Sequence, residues 1–334
     1  MARLLRIPPA ESGRRRRCLR RVCGRWVAIE VHIGRSLSAR GHEGVRVGEC
    51  GGTGGERVGR RDDVGGGDAR AGAQGPARRE EWAERERALI QQDVREHFSA
   101  RAERYDRSSH WCGDRAFLER IVDRLGASAG YRVLDVACGT GQVSRVMSER
   151  GLRVLGLDFT EAMFRQGREL TEFFVAGSGE AMPLAGDSVD AAIERQGIQF
   201  MDDQRAVSEM VRVTKPGGRV CLVQLCAFGA EDEREYFEIL RLRNPARRNF
   251  YRVERLGELL ENAGCAKVEI HSERSSEDVE VWADNGAIQS ESQKAIESCY
   301  RSASEPFRRL HEVEIRDDGT ILDRMLFAIA IGVC

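Results

Sequence analysis

Two periodicities alternate along this chain, and each change of period marks an element. From Trp82 onward the apolar spacing is helical, with Ile90, Val94 and Phe98 at i, i+4 and i+8. A second helix carries Phe117, Leu118, Ile121, Val122 and Leu125 on one face and stops at Gly126. Short apolar runs then alternate with helical segments: Arg132–Ala137, Arg153–Asp158, Glu172–Ala176, Val189–Glu194 and Arg219–Leu225. Strands alternating with helices require crossovers, so the pattern predicts an α/β fold. Its sheet is doubly wound and mostly parallel, with helices on both faces. Beyond that sheet, Ala230–Arg243 is charged and helical, and Arg252–Ala263 is amphipathic and ends at Gly264. Lys267–His271 and Met325–Val333 read as two final strands. Between them, residues 273–318 are polar and helical around Trp282, which predicts a late helical insertion, a lid over the sheet's edge.

Composition changes the picture mainly at the N-terminus. The 334 residues carry a formal net charge of -1, and no apolar run reaches the roughly 20 residues that span a bilayer. Residues 1–79 hold 18 Arg, no Lys and 8 acidic residues, with clusters such as Gly51-Gly52-Thr53-Gly54-Gly55. So few bulky apolar residues cannot build a core, and a disordered extension is expected there. Other readings compete: a nucleic-acid-binding run at Arg14–Arg21, a transit peptide, a zinc site on Cys18, Cys23, His32, His42 and Cys50, or a start assigned too far upstream. Residues 80–130 then form an N-terminal helical cover, and residues 131–334 the main domain. The excess of Arg over Lys in the whole chain is read as a GC-rich coding sequence without functional content. Ten scattered cysteines are expected to be reduced thiols of a cytoplasmic protein.

The informative segment is Val133-Leu134-Asp135-Val136-Ala137-Cys138-Gly139-Thr140-Gly141-Gln142-Val143-Ser144. A strand ends in an acidic residue, and a small-residue loop turns into a helix. Gly139 and Gly141 remove the Cβ atoms that would block a ligand from the backbone. Dinucleotide sites want a third glycine, where Ser144 stands here, and an anion such as Asp135 would repel a pyrophosphate. A cationic ligand is favoured instead, and S-adenosylmethionine (SAM) carries both an ammonium and a sulfonium. Asp158 closes the second strand and can accept from ribose hydroxyls, while Phe159 and Met163 can pack on adenine.

In this arrangement the chain resembles the class I, seven-strand, Rossmann-like SAM-dependent methyltransferases over roughly Val94 to Cys334. Val133–Gly141 resembles the first motif of that family, and Leu155–Asp158 its ribose-binding acid. Gly177-Ser178-Gly179-Glu180-Ala181-Met182-Pro183-Leu184 looks like the adenine loop, with Ser178 where the family usually has Asp. Asp187-Ser188-Val189-Asp190 opens the fourth strand, and Thr214-Lys215-Pro216-Gly217-Gly218-Arg219-Val220 resembles the turn into the fifth. The resemblance implies cofactor contacts from Asp135, Ala137, Cys138, Gly139, Gly141, Asp158, Phe159, Met163, Ser178, Gly179, Glu180 and Gln196, and a closing role for Tyr105. No metal is implied.

Glu194–Phe200 holds the position that faces the methyl group in that family. The Asn/Asp-Pro-Pro-Tyr/Phe motif of many nucleic-acid and protein N-methyltransferases is missing there, which points to a small-molecule acceptor methylated at carbon, oxygen or nitrogen. Two alternatives remain open: an RNA or other nucleic-acid methyltransferase using the basic N-terminal arm, and a non-catalytic SAM-binding module. His97, His110, Glu194 and His271 are the candidate bases, with none preferred.

Overall fold

The computed structural model describes residues 15–22, 25–32, 76–167 and 173–334. Residues 76–88 belong to a unit of their own, as the opening turns of α1 (Pro76–Arg101); the other described residues form a second unit. Five parallel strands build the centre of that second unit: β3 (Arg132–Val136), β4 (Arg153–Asp158), β5 (Phe173–Ala176), β6 (Val189–Arg195) and β7 (Thr214–Ala227). Their spatial order is β5-β4-β3-β6-β7. The order reverses beside β3, which leaves a crevice outside the carboxyl ends of β3 and β6, where ligands of such sheets bind. Past β7 the sheet turns antiparallel through β11 (Ile321–Val333), which pairs β9 (Ala266–Asp278). The two-residue strands β8 (Tyr251–Arg252) and β10 (Glu314–Ile315) pair β7 and β11.

Two strands lie inside the segment expected to lack order. β1 (Arg15–Val22) and β2 (Arg25–His32) pair as a hairpin, and β1 adds antiparallel to β5. Residues 25–32 include Trp26, Val27, Ile29 and Val31, aromatic and β-branched types that suit a strand better than their Arg-rich neighbours suggest. The Gly clusters, and with them Cys23, His42 and Cys50 of the possible zinc site, lie outside the described residues, as does Glu172.

Adjacent residues along each central strand point to opposite faces, and each face has its own core. Val133, Ile193, Cys221 and Ile329 pack on one side with α2 (His110–Gly113), α3 (Arg115–Leu125), α4 (Gln142–Glu149) and α7 (Glu233–Arg243). Leu134, Ala192, Leu222 and Ala328 pack on the other with α6 (Asp203–Val213) and α8 (Val253–Asn262). The caps are as the side chains allow: Asp114 accepts from the Phe117 N–H, and Asp202 from the Arg205 N–H. Among the described residues, no helix is long and apolar enough to cross a membrane.

The late segment differs from the expectation at its start. Residues 273–278 continue β9, so the helical part begins at α9 (Val279–Ala283) and runs through α10 (Ser290–Arg301) and α11 (Glu305–Leu310). Trp282, Ile296, Tyr300 and Phe307 of this segment are buried in the first core. A charged group fastens it. His311 is fully buried, with Nδ1 2.8 Å from Asp323 Oδ1 and Nε2 3.1 Å from Asp232 Oδ2. Asp232 also accepts from the N–H groups of Phe228 and Gly229. Asp323 accepts from the hydroxyls of Tyr300 at 2.6 Å and Tyr236 at 3.4 Å. Burial alone would push the imidazole down, but its hydrogen bonds to Asp232 and Asp323 outweigh this and hold its pKa above the usual value.

Candidate functional site

The loop between β3 and α4 is made by backbone that ordinary side chains resist. Ala137 has φ 53°, Gly139 φ 52° and Gly141 φ 79°. A Cβ on Gly139 would come to 3.4 Å from Met163 Cε, so the missing side chain keeps a slot open beside Met163. Asp158, at the end of β4, holds the loop by accepting from the Gly139 N–H at 2.9 Å and the Thr160 N–H at 2.7 Å. Asp135 lies beneath it and accepts from the Ser144 hydroxyl. The residue in place of a third glycine therefore orients the buried acid.

Two buried carboxylates lie under this loop, and among the described residues neither has an ion-pair partner. Burial pushes both up to about 6, against which the Ser144 hydrogen bond and the more distant Arg195 act on Asp135, and backbone N–H groups act on Asp158. Asp158 in turn raises Asp135 by repulsion. A positive ligand would relieve that repulsion, and a pyrophosphate would add to it. The donor set fits a cation.

The cleft above the loop is lined by Tyr105, Ala137, Gly139, Asp158, Phe159, Met163 and Gln196, seven of the residues the sequence singled out. Cys138 is buried against Phe164 and Phe174 instead. Gly141 closes the turn, its N–H donating to the Cys138 carbonyl at 2.8 Å. The loop of Ser178, Gly179 and Glu180 lies outside the lining. Ser178 Oγ accepts from Gln91 of α1 at 3.3 Å and from the Glu180 N–H at 3.2 Å. Glu180 accepts from the Asp202 N–H at 2.9 Å, which ties the loop to the start of α6. A Cβ on Gly179 would sit 3.2 Å from Val136 Cγ1 and 2.9 Å from Met201 Sδ, so that glycine serves packing.

The rest of the lining was not among the expected cofactor contacts, although the helical spacing had marked Val94 and Phe98 as one face. Val94 and Phe98 come from α1, Thr160 follows β4, and Gly197, Phe200 and Met201 follow β6. Phe98 meets Phe200 edge to face with centroids 5.1 Å apart, and Arg95 covers Phe159. Asp106 accepts from the Thr140 hydroxyl at 2.6 Å and from Gln142 Nε2 at 2.8 Å, fastening the turn that carries Tyr105 to the glycine loop. The Phe98–Phe200 pair is also a wall of a second cleft, together with Tyr105 and Gln196.

The four candidate bases are scattered. Glu194 is fully buried and accepts from the N–H groups of Gly197 and Ile198 and from Gln224 Nε2, so it shapes the turn after β6. Burial raises it to about 7, against those hydrogen bonds. His271 lies on β9 near Glu269, and the His110 side chain is exposed. His97 stands beside Arg101 and Arg243; burial first, then those two charges, lowers it to about 3.

Residues 134–222 match the family described as "Methyltransferase domain". A demethylmenaquinone methyltransferase of Renibacterium salmoninarum is 40% identical over 107 residues, which are 31% of this chain and 45% of that protein. A malonyl-[acyl-carrier protein] O-methyltransferase of Pectobacterium atrosepticum is 33% identical over 137 residues, 40% of this chain and 53% of that one. The chain thus spans about half the length of these curated relatives. Among solved structures, the YcgJ protein of Bacillus subtilis superposes with a TM-score of 0.59 at 21% identity, over 65% of this chain and 97% of that one, a likeness of fold. The strand order and the antiparallel β11 beside β7 make the fold Rossmann-like, and within it residues 134–222, from β3 into β7, are the part that matches the methyltransferase domain.

Proposed function

We propose that this protein is a cytoplasmic SAM-dependent methyltransferase acting on a small molecule at carbon, oxygen or nitrogen. The observation that carries the reading is the pair of buried carboxylates, Asp135 and Asp158, beneath a glycine loop and, among the described residues, without an ion pair to either. Relatives named for small-molecule acceptors support it, and the seven free cysteines among the described residues suit a reducing compartment.

Asp135 would favour the charged amino acid end of the donor and Asp158 the ribose hydroxyls, while Phe159 and Met163 pack on the adenine. Gly139 keeps the backbone open to it, and Tyr105 and Gln196 flank it. When bound, SAM supplies an electrophilic methyl group whose leaving group is a neutral thioether. Phe98 and Phe200 keep water from the junction of the two clefts. Glu194, raised to about 7, is taken up by Gly197, Ile198 and Gln224 outside the lining, burial lifts the Tyr105 hydroxyl to about 12 and His97 is held near 3, so none of the three is free to take a proton from the acceptor. Alignment of the acceptor is therefore the main contribution of this chain to the reaction. Isothermal titration with SAM should give a saturable 1:1 isotherm, and methyl-labelled SAM with a metabolite extract should yield a labelled small molecule. A flat isotherm for the folded wild type would overturn the assignment.

A further inference from the structure

The second cleft, on the far side of Phe98 and Phe200, has an unusual charge. Arg101, Arg243 and Arg247 line it, at 3%, 8% and 8% exposure, and Arg195 stands behind Trp111. Among the described residues, no carboxylate comes within 4.0 Å of any of the four guanidinium groups. Their hydrogen bonds go to neutral oxygens. Arg101 donates to the Ser108 hydroxyl at 3.0 Å, and Arg243 to the Trp282 carbonyl at 2.8 Å and the Ser109 hydroxyl at 3.2 Å. Arg247 donates to the Asn249 carbonyl at 3.4 Å, and Arg195 to the Trp111 carbonyl at 3.4 Å. Each also lies over an aromatic ring, Arg101 4.7 Å from Tyr105 and Arg243 4.6 Å from Trp282.

Buried cations are normally paired, because an uncompensated charge away from water is costly. Here that cost shows in the arginines themselves: burial, then the Arg101 charge, brings Arg243 down to about 9. Among the described residues, three further donors of the same lining have no partner, namely Arg101 Nε, Trp111 Nε1 and Asn244 Nδ2. No Asp, Glu or His lines the cleft. Glu277, on the Trp111 side, is taken up by the N–H groups of His110 and Trp111 and by Ser275.

We propose that this cleft binds the methyl acceptor and selects an anion, a carboxylate- or phosphate-bearing molecule with a planar apolar body, through Arg101, Arg243 and Arg247. The assignment rests on the methyl-donor reading of the adjoining cleft. The guanidinium groups and orphaned donors pair with the anionic head, and Phe98, Tyr105, Trp111, Phe200 and Trp282 take the flat body. An acceptor already ionised at its nucleophilic atom also needs no base, in keeping with the cleft's lack of one.

The test uses the full chain saturated with S-adenosylhomocysteine. Salicylate, its neutral analogue salicylamide and phenyl phosphate are titrated calorimetrically. Salicylate or phenyl phosphate should bind at least about tenfold more tightly than salicylamide, the size of one charge-assisted hydrogen-bonded pair; the tighter of the two identifies the head group. Arg101→Gln and Arg243→Gln should each remove most of that preference while retaining S-adenosylhomocysteine. Equal binding of charged and neutral probes, no binding of either anion, or a preference that survives both substitutions overturns the proposal. The wild-type comparison decides the matter even if a variant does not fold. Failure of the wild type to bind S-adenosylhomocysteine counts instead against the methyl-donor reading, so the two failures are distinguishable.

Discussion

Replacing His311 with Ala should lower the free energy of unfolding by about 3–5 kcal/mol, the range for removing one partner from a buried charge pair. Asp232 and Asp323 would be left without their cation in a site from which water is excluded, since all three side chains are fully buried. The same change opens a cavity against Phe307, whose ring stacks on the imidazole at 3.9 Å. The helices α9–α11 would be released first, because Asp232 precedes α7, His311 follows α11 and Asp323 lies on β11. Chemical denaturation of the wild type and variant measures the difference. Adding Asp232→Asn and Asp323→Asn to His311→Ala should recover part of the loss, since the orphaned charges go with it; a loss below about 1 kcal/mol for the single change would refute the account.

The pH dependence follows from the directions of shift. His311 is raised, so its contribution is complete below the unfolded value of about 6.5 and is lost as pH rises through the folded pKa. Asp232 is lowered despite burial, by His311 and by the Phe228 and Gly229 N–H groups. Its contribution is complete above an unfolded value of about 3.9 and disappears as pH falls through the folded pKa. The fastening is therefore strongest in mildly acidic solution.

Asp135→Asn should weaken SAM binding by about tenfold or more while leaving adenosine, which carries no charge, nearly unaffected. The substitution keeps the shape of the side chain and a partner for Ser144, but removes the negative charge. Asp158→Ala should weaken both ligands, because it removes the ribose acceptor and also frees the N–H groups of Gly139 and Thr160. Acid should mimic the first change. Both carboxyls are raised to about 6, so the binding of a cation falls as pH drops through 6, as protonation discharges them. Fold stability moves the other way: a raised Asp pKa means the native state holds its proton more tightly, so these two groups destabilise the fold as pH rises from about 4 to 6. Calorimetry at pH 5 and pH 7.5 with SAM and adenosine separates the charge effect from loosening of the loop. Equal losses for the two ligands on Asp135→Asn would sink the charge argument.

The parallel centre of the sheet was legible because strands buried on both faces are nearly continuous apolar runs: Arg153–Asp158 is the predicted segment unchanged. β9 was read too short. Among the described residues it pairs with β11 alone, so the Glu273–Glu277 stretch, polar throughout and with Arg274 and Ser276 exposed, looked like the start of a polar helix. The glycine loop and the Asp135 and Asp158 positions could be read from local spacing, since a turn and its helix are made by neighbours in sequence. The His311 network could not, because Asp232 lies 79 residues away and only the topology brings it near. The arginine cleft was missed for a different reason. A bias toward Arg over Lys throughout the chain hid the few that are buried, and burial of a charge leaves no periodic trace when α1, α7 and the segment after α7 each contribute one.

The Phe98–Phe200 contact has a kinetic consequence. One aromatic pair lines both clefts, so if a ligand in one cleft parts the rings it bears that cost, and a ligand in the other does not bear it again. Occupancy of one cleft then raises affinity for the other, and by linkage the factor is the same in both directions. Initial-rate data with donor and acceptor varied together should show intersecting lines with each apparent KM falling as the other substrate rises, and Phe98→Ala should make the two KM values independent.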